Sequence, residues 1–163
     1  MPFINEILSH KSLSIVGMEK NTGKTECLNY IIRRLRNSGK KVAITSIGID
    51  GESVDQVTNT HKPEIEIFGG TTFITSEAHY NTRKITSEIL NISKQSTPLG
   101  RLVTAKAVSV GKLIFSGPSN TMWLKEVIGE MQGIGIDLTI IDGALSRKSL
   151  GSPSVTECMI LTT

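Results

Sequence analysis

A chain of 163 residues, 38% hydrophobic and 20% charged, suits one soluble globular domain, and with aromatics at only 4% its core should be aliphatic. A formal net charge of +3 is too small to imply a nucleic-acid partner. The absence of any run of about 18 apolar residues excludes a membrane-spanning helix. MPFINEILSHKSLSIVG lacks the charged-then-apolar pattern of a signal peptide, and Cys27 and Cys158 form neither a metal spacing nor a disulfide framework. The expected setting is therefore a reducing cytoplasm, with no nucleic acid and no membrane among the partners.

Residues 1–10 place Phe3, Ile4, Ile7 and Leu8 like one turn of helix. A short apolar strand is expected from Ser12 to Val16, followed by a polar loop holding Gly17, Gly23, Lys24 and Thr25. A helix then carries Cys27, Leu28, Ile31, Ile32 and Leu35 as one apolar stripe, and Gly39 stands where a C-terminal cap would end it. Cys27 lies on that stripe and reads as core. The basic cluster Arg33, Arg34, Arg36, Lys40 and Lys41 has no interleaved aromatics and reads as a solvated helix end, where cations suit the negative dipole end.

Strand, glycine loop, helix is the order that a phosphate-binding loop requires. The strand brings the chain to the carboxyl edge of a sheet, and the glycines let backbone N–H groups point inward. The helix adds its unpaired N–H groups and positive dipole end at the same point. Gly17, Asn21, Thr22, Gly23, Lys24, Thr25 and Glu26 are therefore candidate nucleotide-binding residues. Lys24 doubles as a catalytic charge on phosphate oxygens, and the Thr25 hydroxyl is a candidate Mg²⁺ ligand. The competing interpretation is a glycine turn that binds nothing.

KKVAITSIGIDGE reads as a buried second strand ending at Asp50, so that strand, crossover helix and strand make a right-handed βαβ unit and a parallel sheet. Asp50 is a candidate catalytic and metal-site carboxylate at the carboxyl edge, and equally a plain Asp-Gly turn. Residues 63–118 form a β-rich elaboration, with PEIEIFGG alternating, TTFITSEAHY rich in strand formers, and two strand-like runs in GRLVTAKAVSVGKLIFSGPS. NTRKITSEILNISKQ, residues 81–95, fits helix or strand. Ser119 or Asn120 can cap a helix to about Gln132 with Leu124, Val127, Ile128 and Met131 inward.

IDLTIIDGA is a buried strand that delivers Asp142 to the same edge, the Walker B arrangement in which a carboxylate holds Mg²⁺ directly or through water. The tail, LSRKSLGSPSVTECMILTT, ends on an apolar run with no closing element, which reads as a fragment or as a sheet completed by residues absent here. The absence of an Asn-Lys-x-Asp or Thr-Lys-x-Asp sequence mildly favours ATP over GTP.

The loop has five residues between Gly17 and Gly23, where the usual spacing has four. In this it resembles the loops of dethiobiotin synthetases and cobyrinic acid synthases, P-loop proteins of the wider MinD-like class. Lys20 lies four residues before Lys24, whereas the second lysine of the MinD-type loop lies five before, so that role is not carried over. The dethiobiotin synthetases also follow their second strand with a Lys-Pro pair, which TSIGIDGE lacks.

TSIGIDGE, TPLGRLV, FSGPSN and IIDGALSRKSLGSP together resemble the nucleotide-binding reactivating-factor proteins of cobalamin-dependent lysine and ornithine aminomutases. That resemblance implies an α/β P-loop NTPase fold and an ATPase using ATP and Mg²⁺ on a mutase partner, and it leaves room for a homodimer. It implies nucleotide and Mg²⁺ at Gly17, Gly23, Lys24 and Thr25, Asp50 and Asp142 completing the metal site, and the β-rich middle touching the mutase. An ATP-dependent small-molecule ligase and a non-hydrolysing nucleotide-binding module stay open as alternatives.

Overall fold

The computed structural model describes residues 2–19, 21–47, 63–144 and 155–163. In chain order these form α1 (Pro2–Leu8), β1 (Ser12–Gly17), α2 (Lys24–Leu35), β2 (Val42–Ser46), β3 (Ile65–Ile67), β4 (Thr72–Ser76) and α3 (Glu77–Asn81). There follow β5 (Ser87–Thr97), β6 (Gly100–Ala107), β7 (Gly111–Leu113), α4 (Thr121–Gly133), β8 (Leu138–Ala144) and β9 (Cys158–Thr162). The fold is α/β, built on a mostly parallel seven-stranded mixed sheet in the order β5-β6-β4-β2-β8-β1-β9. β4, β2, β8, β1 and β9 run parallel, while β6 is antiparallel to β4 and β5 to β6. A separate antiparallel pair joins β3 and β7.

Every residue of β1, β2 and β4 is buried, as expected of parallel strands covered on both faces. Alternation sorts their side chains. Leu13, Ile15, Val42, Ile44, Phe73, Leu138 and Ile140 pack with Leu28, Ile31, Ile32 and Leu35 of α2. On the opposite face Ala43 and Ile74 meet Trp123, Val127 and Met131 of α4, and Ile141 meets Leu124 and Ile128. The Asn120 side chain caps α4 by accepting from the Trp123 N–H at 2.9 Å.

One open reading is settled and one expectation is revised. Residues 81–95 resolve into the end of α3 and the long strand β5; Ile89, Leu90 and Ile92 are exposed there, so no single face is apolar enough to mark either period. Gly39 does not cap α2. The helix stops at Leu35, whose carbonyl accepts from the Ser38 N–H and hydroxyl at 3.0 and 2.7 Å, and Gly39 (φ 73°) shapes the turn beyond. The apolar tail forms the edge strand β9, parallel beside β1. Among the described residues no helix is long and apolar enough to cross a membrane.

Candidate functional site

Strand alternation decides where Asp142 points. Leu138 and Ile140 face α2, so Asp142, two residues on, faces α2 as well. It stands level with Ile15 of β1 and Ser46 of β2, and two residues of β8 follow it, so it is not the strand's last residue. The Ser46 hydroxyl donates to the Asp142 carbonyl at 3.0 Å and steadies the strand there.

Lys24 is the first residue of α2, and its Nζ lies 3.1 Å from Asp142 Oδ1. With side chains 29% and 20% exposed, the pair is largely shielded from water. The two meet as charges without the alignment of a hydrogen bond, and Oδ1 is buried with no hydrogen-bond partner. Such an oxygen retains lone pairs for a further ligand.

The loop between β1 and α2 is folded tightly by three residues. A Cβ on Gly17 would stand 2.6 Å from Thr22 Oγ1, so only glycine lets the loop close over this point. Asn21 (φ 65°) and Gly23 (φ 81°) take left-handed backbone conformations, which Asn tolerates and Gly adopts freely. Gly23 is the N-cap of α2 and supplies no side-chain acceptor, so the first turn, with Lys24, Thr25 and the exposed Glu26, carries no side-chain cap.

β9 holds the loop from the far side. The Met18 N–H donates to the Thr162 carbonyl at 3.0 Å, and Thr22 Oγ1 lies 3.1 Å from Thr162 Oγ1. Thr22 also donates to the Glu19 carbonyl at 3.1 Å. The structure thus gathers Gly17, Asn21, Thr22, Gly23, Lys24, Thr25 and Glu26 on one loop and helix start, and brings Asp142 to Lys24. Asp50 and Lys20 lie outside the described residues. Among those described, no group of three or more His, Cys, Asp or Glu residues could hold a metal ion by itself.

A second polar cluster was not anticipated. β4 runs parallel beside β2, so Ser76 and α3 emerge at the same sheet edge as Gly17, three strand spacings or about 14 Å from β1. There Ser116 Oγ accepts from the Ser76 N–H at 2.8 Å and contacts Thr75 Oγ1 at 3.1 Å and His79 Nδ1 at 2.9 Å. The Thr75 hydroxyl donates to the Ile114 carbonyl at 2.7 Å. Every contact then holds a proton only if Ser116 donates to Thr75 and His79 donates from Nδ1. His79 therefore carries a proton on Nδ1 in this network. In sequence, Ser-x-x-His after a buried strand is too short a signal, because its partner Ser116 lies 40 residues from Ser76.

Compared with family models, with curated proteins and with solved structures, the chain matches none.

Proposed function

We propose that this protein binds ATP with Mg²⁺ through a P-loop of the dethiobiotin synthetase, cobyrinic acid synthase and MinD-like class. We further propose that it is an ATPase acting on a partner enzyme, as a reactivating factor of a cobalamin-dependent aminomutase would. The observation that carries the nucleotide reading is the Lys24–Asp142 pair, with a buried carboxylate oxygen lacking a hydrogen bond, beneath a glycine loop at the carboxyl edge of a mostly parallel sheet. In that reading the loop and first-turn N–H groups and Lys24 take the phosphates. Thr25 and Asp142 hold Mg²⁺, which supplies charge neutralisation at the phosphates. A nucleotide-bound Mg²⁺ needs only one or two protein carboxylates, so a three-residue metal cage is not required. Asp50 keeps its proposed place in catalysis.

The Ser76–His79–Ser116 cluster favours a second reading, an ATP-dependent ligase whose small-molecule substrate sits over β4 at the same edge. Thermal melting tests what the readings share. Mg-ATP at about 100 times its dissociation constant should add ~2.7 kcal/mol and raise Tm by roughly 5–11 °C. No shift with any nucleotide at millimolar concentration would remove the P-loop reading. Hydrolysis stimulated by a protein partner selects the ATPase, stimulation by a carboxylic or amine metabolite selects the ligase, and binding without turnover selects a nucleotide-binding module.

A further inference from the structure

At the far end of α2 the fold leaves an open-mouthed cavity of about 140 Å³ between the last turn of the helix, the start of β2 and the β3–β4 turn. Ile32, Leu35, Val42 and Ile44 give it an apolar floor. On the turn side Gly69 and Gly70 bring no side chains to fill it, and Gly70 (φ 89°) has a backbone that resists replacement.

The charges at the mouth have one sign. Arg36 and Lys40 line the cavity, no carboxylate does, and neither cation belongs to an ion pair among the described residues. The Arg36 guanidinium lies over the Phe68 ring, 4.3 Å from its centre, which fixes a planar set of donors beside the opening. The helix C-terminus opposes an anion with roughly half a negative charge. Two full positive charges outweigh that, and the Leu35 carbonyl is already covered by Ser38.

We propose that this cavity binds a small organic anion, a monocarboxylate carrying an apolar body of about six carbons. An apolar cavity of ~150 Å³ accepts benzene, which sets the size of the body. The carboxylate meets Arg36 and Lys40, and the body replaces water over the aliphatic floor. Twelve helical residues, about 18 Å, separate this site from Lys24, so it stands whether or not the loop binds nucleotide.

Benzoate and hexanoate, titrated into the full chain and followed by amide chemical shifts, test the proposal. Both should shift Arg36, Gly69, Gly70 and Thr71 saturably at millimolar concentration, while benzylamine and inorganic phosphate bind at least about 10-fold more weakly. Arg36→Gln and Lys40→Gln replace exposed residues and should leave the fold intact. Each should weaken benzoate by about 10-fold, within the range of a charge-assisted hydrogen bond. The proposal is overturned by the absence of saturable shifts, by equal binding of benzylamine or of phosphate, or by affinity unchanged in both variants.

Discussion

Separating Lys24 from Asp142 tests whether the two form the keystone of the loop. Asp142→Asn removes the charge and keeps the shape, and Lys24→Met does the same from the other side. At 3.1 Å the gross attraction is about 5 kcal/mol for an effective dielectric constant near 20. Desolvation offsets most of it. Exposed pairs contribute ~0–1 kcal/mol net, and stripping one partner from a buried pair costs ~3–5 kcal/mol. Side chains 29% and 20% exposed place this pair between those limits. Each single variant should therefore lose about 1–2 kcal/mol, a fall in Tm of roughly 2–8 °C. The double variant should fall little further, giving a coupling energy of ~1–2 kcal/mol by denaturant melts without nucleotide. Additivity of the two losses within ~0.5 kcal/mol would refute the pairing. With ATP present, Lys24→Met should weaken binding by roughly 10- to 150-fold, because a charged hydrogen bond to phosphate is worth ~1.5–3 kcal/mol. Asp142→Asn should keep the affinity measured in chelator and lose the part that Mg²⁺ adds.

Gly117→Ala should cost about 3 kcal/mol or more by denaturant melts, since a Cβ there would overlap the Ser46 carbonyl oxygen and stand 2.8 Å from Thr45 Oγ1; a loss under ~0.5 kcal/mol would show that the 114–118 segment can move away. Burial, then the charges of Glu157 and Glu6, push the Cys158 thiol up to about 11. At pH 8 its thiolate is roughly 200-fold scarcer than that of a thiol of ordinary pKa near 8.5, and after allowing for the stronger nucleophilicity of the more basic thiolate it should react with a disulfide reagent roughly 20-fold more slowly; labelling at the ordinary rate would contradict its packing. Because the folded-state value is raised, the stability linked to this thiol is complete below about pH 8.5 and declines as pH climbs toward 11.

The elements legible in the sequence were those whose pattern is written locally. The stripe Leu28, Ile31, Ile32, Leu35 has the helical period, and the short runs of apolar residues with Ser or Thr around Ile15, Ile44 and Ile140 mark strands covered on both faces. Asp142 could be placed at the Lys24 end of the sheet because it follows such a run, and Gly17 and Gly23 stand where the loop needs a close approach and a left-handed backbone. Four features depended on partners distant in sequence. β5 reads ambiguously because its apolar side chains stay exposed, and its strand state comes from β6. The tail becomes a strand only beside β1, and the Ser116 hydroxyl gains its meaning from residues 37 to 41 positions away. The cavity at the end of α2 arises from glycines on one element facing the helix end of another.

The hold of β9 on the loop also bears on where this sheet opens first. Thr22 and Thr162 are 140 residues apart, so their contact forms only when segments distant in sequence have met. β9 lies at the edge of the described sheet, beside β1 alone, and is part-exposed along its length. An edge strand with few buried contacts frays at a lower free energy than the strands inside. Each fraying of β9 also frees the Met18 N–H and the Thr22 hydroxyl, so the β1–α2 loop loosens with the edge while the centre of the sheet stays closed.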